Sequence, residues 1–413
     1  MIDHFPIQRI TARWVLPICG EILENGLVEV QGDRITQVRP ARAGEDALDL
    51  GEVVLMPGLV NTHTHLEFSS LKEPIEAPSF ADWIRQLVAF RQQELSTSEQ
   101  RLSAIRQGIA ESISSGVTTI GEIATDSSCQ QAYADLPASS VVMREVIGLA
   151  AEDEDDRIEL VNQFLAAVPA DASWQPGISP HAPYTLRSSL FERLCRLAND
   201  KQLCCAMHLA ESQEELELVH SRSGPLRVML EEFGVWRDDA FDPEASITAY
   251  LEQLSTSERA LVIHGNYLDP DEWQLLAENR ERVSLVYCPR THRHFDHPCY
   301  RLAERLAAGV RVVLGTDSRA SNPDLDLLAE VKEAARLHPQ VAPQVFLQMA
   351  TLEGAAALGL SGEVGELSAG ARGNLVVIAG EFSTSQEVPA AILSDTSQVV
   401  GVMVAGRWLR QLA

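Results

Sequence analysis

Met56-Pro57-Gly58-Leu59-Val60-Asn61-Thr62-His63-Thr64-His65 is a short apolar run that ends in two histidines. The run is too short for a helix and is bounded by Pro and Gly, so it reads as a buried strand. A doubly wound α/β sheet would usually carry a Gly-rich phosphate turn after its first strand. Here the strand runs into imidazoles instead. Further short runs rich in Val, Ile or Leu follow at 116–123, 140–147, 176–180, 203–208, 260–264, 283–288 and 311–316. Helical stretches lie between them, among them Phe80 to Ser114, Leu186 to Asn199, Asp271 to Asn279 and Leu325 to Leu337. Eight strand–helix units predict a (β/α)₈ barrel, with the doubly wound sheet as the alternative.

Outside this repeat both ends of the chain are strand-like. Residues 8–16 and 27–38 alternate with a period of two, with a turn at Gly32-Asp33, and 375–378 and 399–404 are short apolar runs bounded by Gly. Neither end is long enough to bury a core alone. They are expected to pair into one small β-domain, giving segments 1–57 and 358–413 for that domain and 58–357 for the barrel.

The composition narrows the function classes. The chain has 413 residues, 45% apolar and 22% charged, with a formal net charge of -26. That charge disfavours phosphate-rich nucleic acid and anionic membrane surfaces as partners. No apolar run approaches the roughly 18–20 residues that span a bilayer. Met1 to Pro6 lacks a basic region before an apolar core, so a cytoplasmic setting is expected. Seven scattered cysteines are not a disulfide framework, and Cys204-Cys205 suits a core strand. The acidic run Glu152 to Asp156 reads as a solvated loop or helix start. A small-molecule substrate is the expected partner, and a homo-oligomer is left open.

Barrel enzymes carry their reactive side chains at the C-terminal ends of the strands. Read in order, those ends hold His63 and His65, then His181, His208 followed by Glu211, His264 and Asp317. Two histidines at i and i+2 can form two arms of a metal site that His208 and Asp317 close. Three imidazoles, one carboxylate and a water suit Zn²⁺, and also Fe²⁺. A single histidine would read as a satisfied core residue; the set, at one end of several strands, does not. His292, His294 and His297 read as a polar loop over the barrel mouth, with a second metal as the lesser reading. His4, His220 and His338 read as surface or helix residues.

With these residues, Met56 to His65, His208-Leu209-Ala210-Glu211, His264-Gly265 and Gly315-Thr316-Asp317-Ser318 resemble the amidohydrolase superfamily. More narrowly they resemble its cytosine deaminase and triazine hydrolase branch, including the S-adenosylhomocysteine and aminodeoxyfutalosine deaminases. Ala350 to Ala355 and Gly365 to Leu375 resemble the segments that follow the barrel there. The resemblance implies a (β/α)₈ barrel and a β-sandwich made from both termini. It implies that His63, His65, His208 and Asp317 bind one divalent metal, Zn²⁺ before Fe²⁺. It gives Asp317 the proton of the attacking water, Glu211 the shuttle to a ring nitrogen, and His264 the developing charge. Relatives with two metals use a carboxylated Lys at the end of strand four, and none of Lys72, Lys201 and Lys332 stands there.

For the substrate, His181-Ala182-Pro183-Tyr184-Thr185 and Ser79-Phe80-Ala81-Asp82-Trp83 are similar to segments of adenosine-type deaminases. They make His181 and Trp83 candidate substrate contacts. Arg144 and Arg290, near strand ends, could hold a substrate carboxylate or, equally, pair with a nearby Asp or Glu. Cys288 to His292 departs from the Ser-Asn pair expected after strand seven. The expected substrate is a 6-aminopurine nucleoside with a carboxylate-bearing 5′ group, aminodeoxyfutalosine or S-adenosylhomocysteine. The alternatives are guanine, a halogenated or aminated triazine, or, in another class, an inactive binding or scaffold relative. Residues 221–258 exceed what one strand–helix unit needs and read as a lid, a subunit contact or a surface insertion.

Overall fold

The computed structural model describes residues 7–126, 130–137 and 139–410. His4 and the rest of Met1 to Pro6 lie outside the described residues. Eight strands form one parallel sheet in sequence order: Leu59–Thr64, Val117–Ala124, Val141–Val146, Gln175–Pro180, Cys204–Leu209, Arg259–His264, Val283–Tyr287 and Val312–Leu314. Most of these strands are buried along their whole length, as expected where helices cover one face and the barrel interior the other. The first and last strands close the ring at their C-terminal ends. A parallel bridge joins Thr64 to Asp317 there, and the Thr62 hydroxyl donates to the Leu314 carbonyl at 2.8 Å.

The strands from both termini form a second, mixed sheet. Its order is Arg407–Arg410, Gln398–Val404, Leu375–Ala379, Val54–Pro57, Ile7–Val15, Leu23–Gln31, Arg34–Pro40, with Leu48–Asp49 beside Ile7–Val15. Val54–Pro57 sits between the two ends of the chain. It runs parallel to Ile7–Val15 and antiparallel to Leu375–Ala379. Gly58 then carries the chain from this sheet into the barrel, where a Cβ would come within 2.1 Å of the Thr118 hydroxyl.

One sequence expectation changes. The stretch from Phe80 to Ser114 is two helices, Phe80–Glu94 and Ser98–Ser114. Thr97 starts the second with a capping box, its hydroxyl accepting from the Gln100 N–H and the Gln100 side chain accepting from the Thr97 N–H. His338 is buried at the end of the helix Leu327–Leu337, 3.3 Å from the Tyr287 hydroxyl. Among the described residues no helix is long and apolar enough to cross a membrane.

Candidate active site

The seam between the first and last strands builds half of the site. The Asn61 amide donates to the Thr316 hydroxyl at 2.8 Å, and its carbonyl oxygen accepts from the Thr316 N–H at 3.2 Å. The N–H groups of Thr316 and Asp317 both reach the His63 carbonyl at 3.1 Å. His264 and Asp317 adopt left-handed backbone conformations, with φ of 67° and 56°. Such geometry is costly for residues other than Gly and is held here by the closed barrel rim.

Four side chains converge at this rim. His63 Nε2 lies 3.3 Å from Asp317 Oδ1, and His65 Nε2 lies 3.2 Å from His208 Nε2. Ligands on a tetrahedral zinc with bonds of about 2.0–2.1 Å sit about 3.3 Å apart, so these spacings fit one ion. The fit extends to the hydrogen bonds. Neither ring nitrogen of His63 has a hydrogen-bond partner among the described residues, although the ring is fully buried. His208 Nδ1 lies 3.1 Å from the His181 carbonyl, which can only accept, so Nδ1 carries the proton and Nε2 offers a lone pair. Burial holds the imidazoles neutral: His208 is pushed down to about 4, and His63 and His65 lie well below the usual range, lowered further by their mutual repulsion. His63, His65 and Asp317 bring ligand atoms within 4.8 Å of one another, as do His63, His208 and His264, so the rim is a candidate cation site.

Asp317 is oriented by its other oxygen, which accepts from the Ser321 hydroxyl at 2.6 Å and from Thr291 at 3.3 Å. Glu211 stands beside the cluster, 3.4 Å from His264 Nε2. Burial, with Asp317 and Glu215 adding repulsion, raises its carboxyl well above the usual carboxylate range. Glu211 is positioned from behind by Glu215, whose two oxygens accept from the N–H groups of Ala210 and Glu211 at 2.9 and 2.8 Å. The Asn266 amide donates to the Glu211 carbonyl at 2.9 Å. Glu215, Asn266 and Ser321 were not singled out from sequence. The Ser212-x-x-Glu215 spacing was visible as a capping pattern, but the Glu215 side chain turns to the preceding loop instead of to the Ser212 N–H.

A cavity of about 400 Å³ opens from His65 and His181, within the range of small-molecule sites. Trp83 lines it, with its indole N–H donating to the Ala320 carbonyl at 3.1 Å. The segment after strand five supplies the facing wall through Met229, Leu230, Phe233, Val235 and Arg237, so residues 221–258 border the cavity.

The two arginines predicted as substrate contacts are not brought to this cavity. Arg290 is buried against Glu330 at 2.6 Å and Asp324 at 2.5 Å. Its charge is met within the fold. Arg144 is also buried and donates to the carbonyl oxygens of Ala124 and Glu145. The arginines that do line the cavity are Arg91, Arg157 and Arg237. Their residue pattern does not mark them, because they lie on helices and loops away from the strand ends. The three histidines after strand seven also stay apart from the metal set. His292 lies 3.0 Å from Asn266 Oδ1, His294 3.0 Å from the Ile75 carbonyl, and His297 3.0 Å from the Tyr267 hydroxyl.

Comparison with known proteins places this geometry in context. Residues 54–409 match the profile of the Amidohydrolase family. A 5-methylthioadenosine/S-adenosylhomocysteine deaminase of Moorella thermoacetica is 28% identical over 390 residues, covering 88% of this chain and 83% of the relative. The crystal structure of Helicobacter pylori aminofutalosine deaminase with methylthio-coformycin superposes with a TM-score of 0.86 at 23% identity, over 97% of this chain and 100% of the other. An adenosine deaminase from Xanthomonas campestris with bound zinc gives a TM-score of 0.79 at 23% identity, over 98% and 93%.

Proposed function

The chain belongs to the amidohydrolase family, and from that premise we propose that it is a hydrolytic deaminase that releases ammonia from the 6-amino group of an adenine nucleoside carrying a 5′ substituent. One observation carries the reading. His65 of the four-residue cluster lines a largely apolar cavity walled by Trp83, and Glu211, its carboxyl raised by burial, stands beside His264 at the same rim. The relatives named for purine nucleoside deamination support the substrate class.

The family is metal-dependent, and His63, His65, His208 and Asp317 would hold one ion, with Zn²⁺ the first choice. When bound, such an ion lowers the pKa of water to about 7 and makes hydroxide available at neutral pH. The chain's own residues do the rest. Attack on the amino-bearing carbon destroys ring aromaticity, so the neighbouring ring nitrogen must take up a proton as the new bond forms. Glu211, kept protonated by burial, stands ready to deliver it. Asp317, held by Ser321 and Thr291 through one oxygen, accepts the proton of the attacking water through the other. His264, neutral and 3.4 Å from Glu211, holds the developing oxyanion. The leaving amine then takes the proton that Asp317 received and departs as ammonia, while the hydroxyl proton of the adduct returns Glu211 to its protonated form.

The purine stacks within the wall formed by Trp83, and His181 contacts the nucleoside. A carboxylate on the 5′ group would meet Arg157 and Arg237 instead of Arg144 and Arg290. The test is ammonia release by the metal-loaded protein from adenosine, 5′-methylthioadenosine, S-adenosylhomocysteine and aminodeoxyfutalosine. Turnover of one or more, fastest with a 5′-substituted nucleoside, is expected. Inactivity on all four with turnover of guanine or a triazine would overturn the proposal.

A further inference from the structure

Glu145 is a buried carboxyl that the chemistry above does not use. It ends the third barrel strand, Val141–Val146, and lines the cavity beside His181 on strand four. Its Oε1 is buried and has no hydrogen-bond partner among the described residues. His181 Nε2 lies 3.9 Å from it, too far for a direct hydrogen bond.

The proton on His181 can be placed from its other side. The Thr185 hydroxyl has one hydrogen and lies 3.2 Å from the Ala182 carbonyl, which can only accept it. The 2.6 Å contact between Thr185 Oγ1 and His181 Nδ1 then needs the proton on Nδ1. In the neutral ring Nε2 is left as an acceptor. Glu145 Oε1 and His181 Nε2 therefore face one space in the cavity wall with no hydrogen bond between them. Leaving both unmet is costly in a buried site. One hydroxyl answers one of them. Two neighbouring hydroxyls, each donating, answer both.

We propose that Glu145 and His181 together bind the 2′,3′-diol of the substrate's ribose, with Glu145 as the residue that makes the site select a ribonucleoside. The inference rests on the nucleoside reading above and adds to it the part of the substrate that is recognised. A divalent ion is the competing occupant, because Glu145, His181 and His208 bring ligand atoms within 4.8 Å of one another. His208 Nε2 belongs to that set and to the cluster with His65, and one lone pair serves one ion. The competing occupant would therefore take a ligand from the main cluster.

The test uses the full metal-loaded protein and compares adenosine with 2′,3′-dideoxyadenosine. It is run on the wild type, Glu145→Leu and Glu145→Gln, with metal content measured throughout. Binding of inosine and 2′,3′-dideoxyinosine by calorimetry gives a readout independent of turnover. The wild type should prefer adenosine in kcat/KM by about 10–100-fold, and inosine in affinity by a similar factor. Glu145→Leu should narrow both ratios to within about threefold, with the loss in KM rather than kcat. Glu145→Gln, which keeps one acceptor oxygen, should fall between. Ratios near one in the wild type, ratios unchanged in Glu145→Leu, or a second metal ion lost in that variant would each overturn the proposal. Ammonia release from both nucleosides at equal efficiency would sink the diol reading alone. Failure of every nucleoside to bind or react would sink the functional reading and this inference with it.

Discussion

Two groups of histidines stand at the same end of the barrel, and only one is built for a cation. In the cluster of His63, His65 and His208 the inward ring nitrogens face one another and Asp317, and both nitrogens of His63 lack hydrogen-bond partners. In the second group, His292 lies between Asn266 and the Pro298 carbonyl, His294 meets the Ile75 carbonyl, and His297 meets the Tyr267 hydroxyl. Burial takes His292 to about 4 and His297 to about 3, so these two are neutral like the rings of the first group. Neutrality is thus shared. What separates a metal site from a packed loop is convergence: His297 Nε2 also has no hydrogen-bond partner among the described residues, but it joins no group of facing ligand atoms there.

The contrast can be broken most sharply at His208. His208→Ala should take the metal content from about one equivalent to near zero and abolish turnover, while circular dichroism stays that of the wild type. Full metal in that variant would refute the assignment. Next in size is Glu211→Gln, which keeps shape but cannot move a proton. It should retain the metal and lose about 10²–10⁴ in kcat. Its pH profile should change as well. The protonated Glu211 is the active form and its pKa is raised, so wild-type kcat should fall as pH rises through that value. The variant should lack this alkaline limb.

A smaller effect is expected at Glu215, which touches no reacting atom. Glu215→Gln removes one of two backbone acceptors and should lower kcat by about tenfold, with KM and metal content near wild type. The mildest change belongs to the second histidine group. His297→Ala should leave metal content intact and cost about 1–2 kcal/mol of stability in chemical denaturation, since it removes one buried hydrogen bond. Loss of metal from His297→Ala would erase the distinction between the two groups.

Acid should separate the groups too. Histidines whose folded pKa lies below the usual 6.5 contribute stability that is fully present above 6.5 and lost as pH falls towards the folded value. For the metal-free protein, thermal scans should show the melting temperature falling between pH 6.5 and about 4, the value for His208 and His292. Saturating Zn²⁺ should raise the melting temperature by a near-constant amount down to about pH 4 and by less below it, where protons compete for the rim cluster; His292 and His297 add nothing to that difference. Melting temperatures that Zn²⁺ leaves unchanged would argue against the cluster as the metal site.

Much of this was legible in the residues. The barrel strands announce themselves as apolar runs, and the site residues sit within a few positions of where those runs stop, because a strand end is a local property. The break at Thr97 was also written locally, in Thr97-x-x-Gln100, but a continuous helical pattern on either side hid it. What could not be read was the company each side chain keeps. Arg290 could meet a substrate or an acidic side chain, and only the fold, bringing Glu330 and Asp324 to it, decides which. Nothing near Glu215 in the chain marks its side chain as turning to the loop that carries Glu211. Arg157 and Arg237 reach the cavity from elements whose placement depends on the whole barrel.

The closing seam at Thr64 and Asp317 joins residues about 250 apart in the chain. During synthesis at roughly 5–20 residues per second, His63 and His65 leave the ribosome roughly 10–50 s before Asp317 does. Throughout that interval a metal ion could meet two or three imidazoles but never the full set. Tight loading is therefore an event of the finished chain. It must also wait for Leu375–Ala379, which pairs with Val54–Pro57 next to the first barrel strand. A nascent chain stalled before the last strand would bind metal loosely and give it up readily to a chelator, whereas the released protein would hold it.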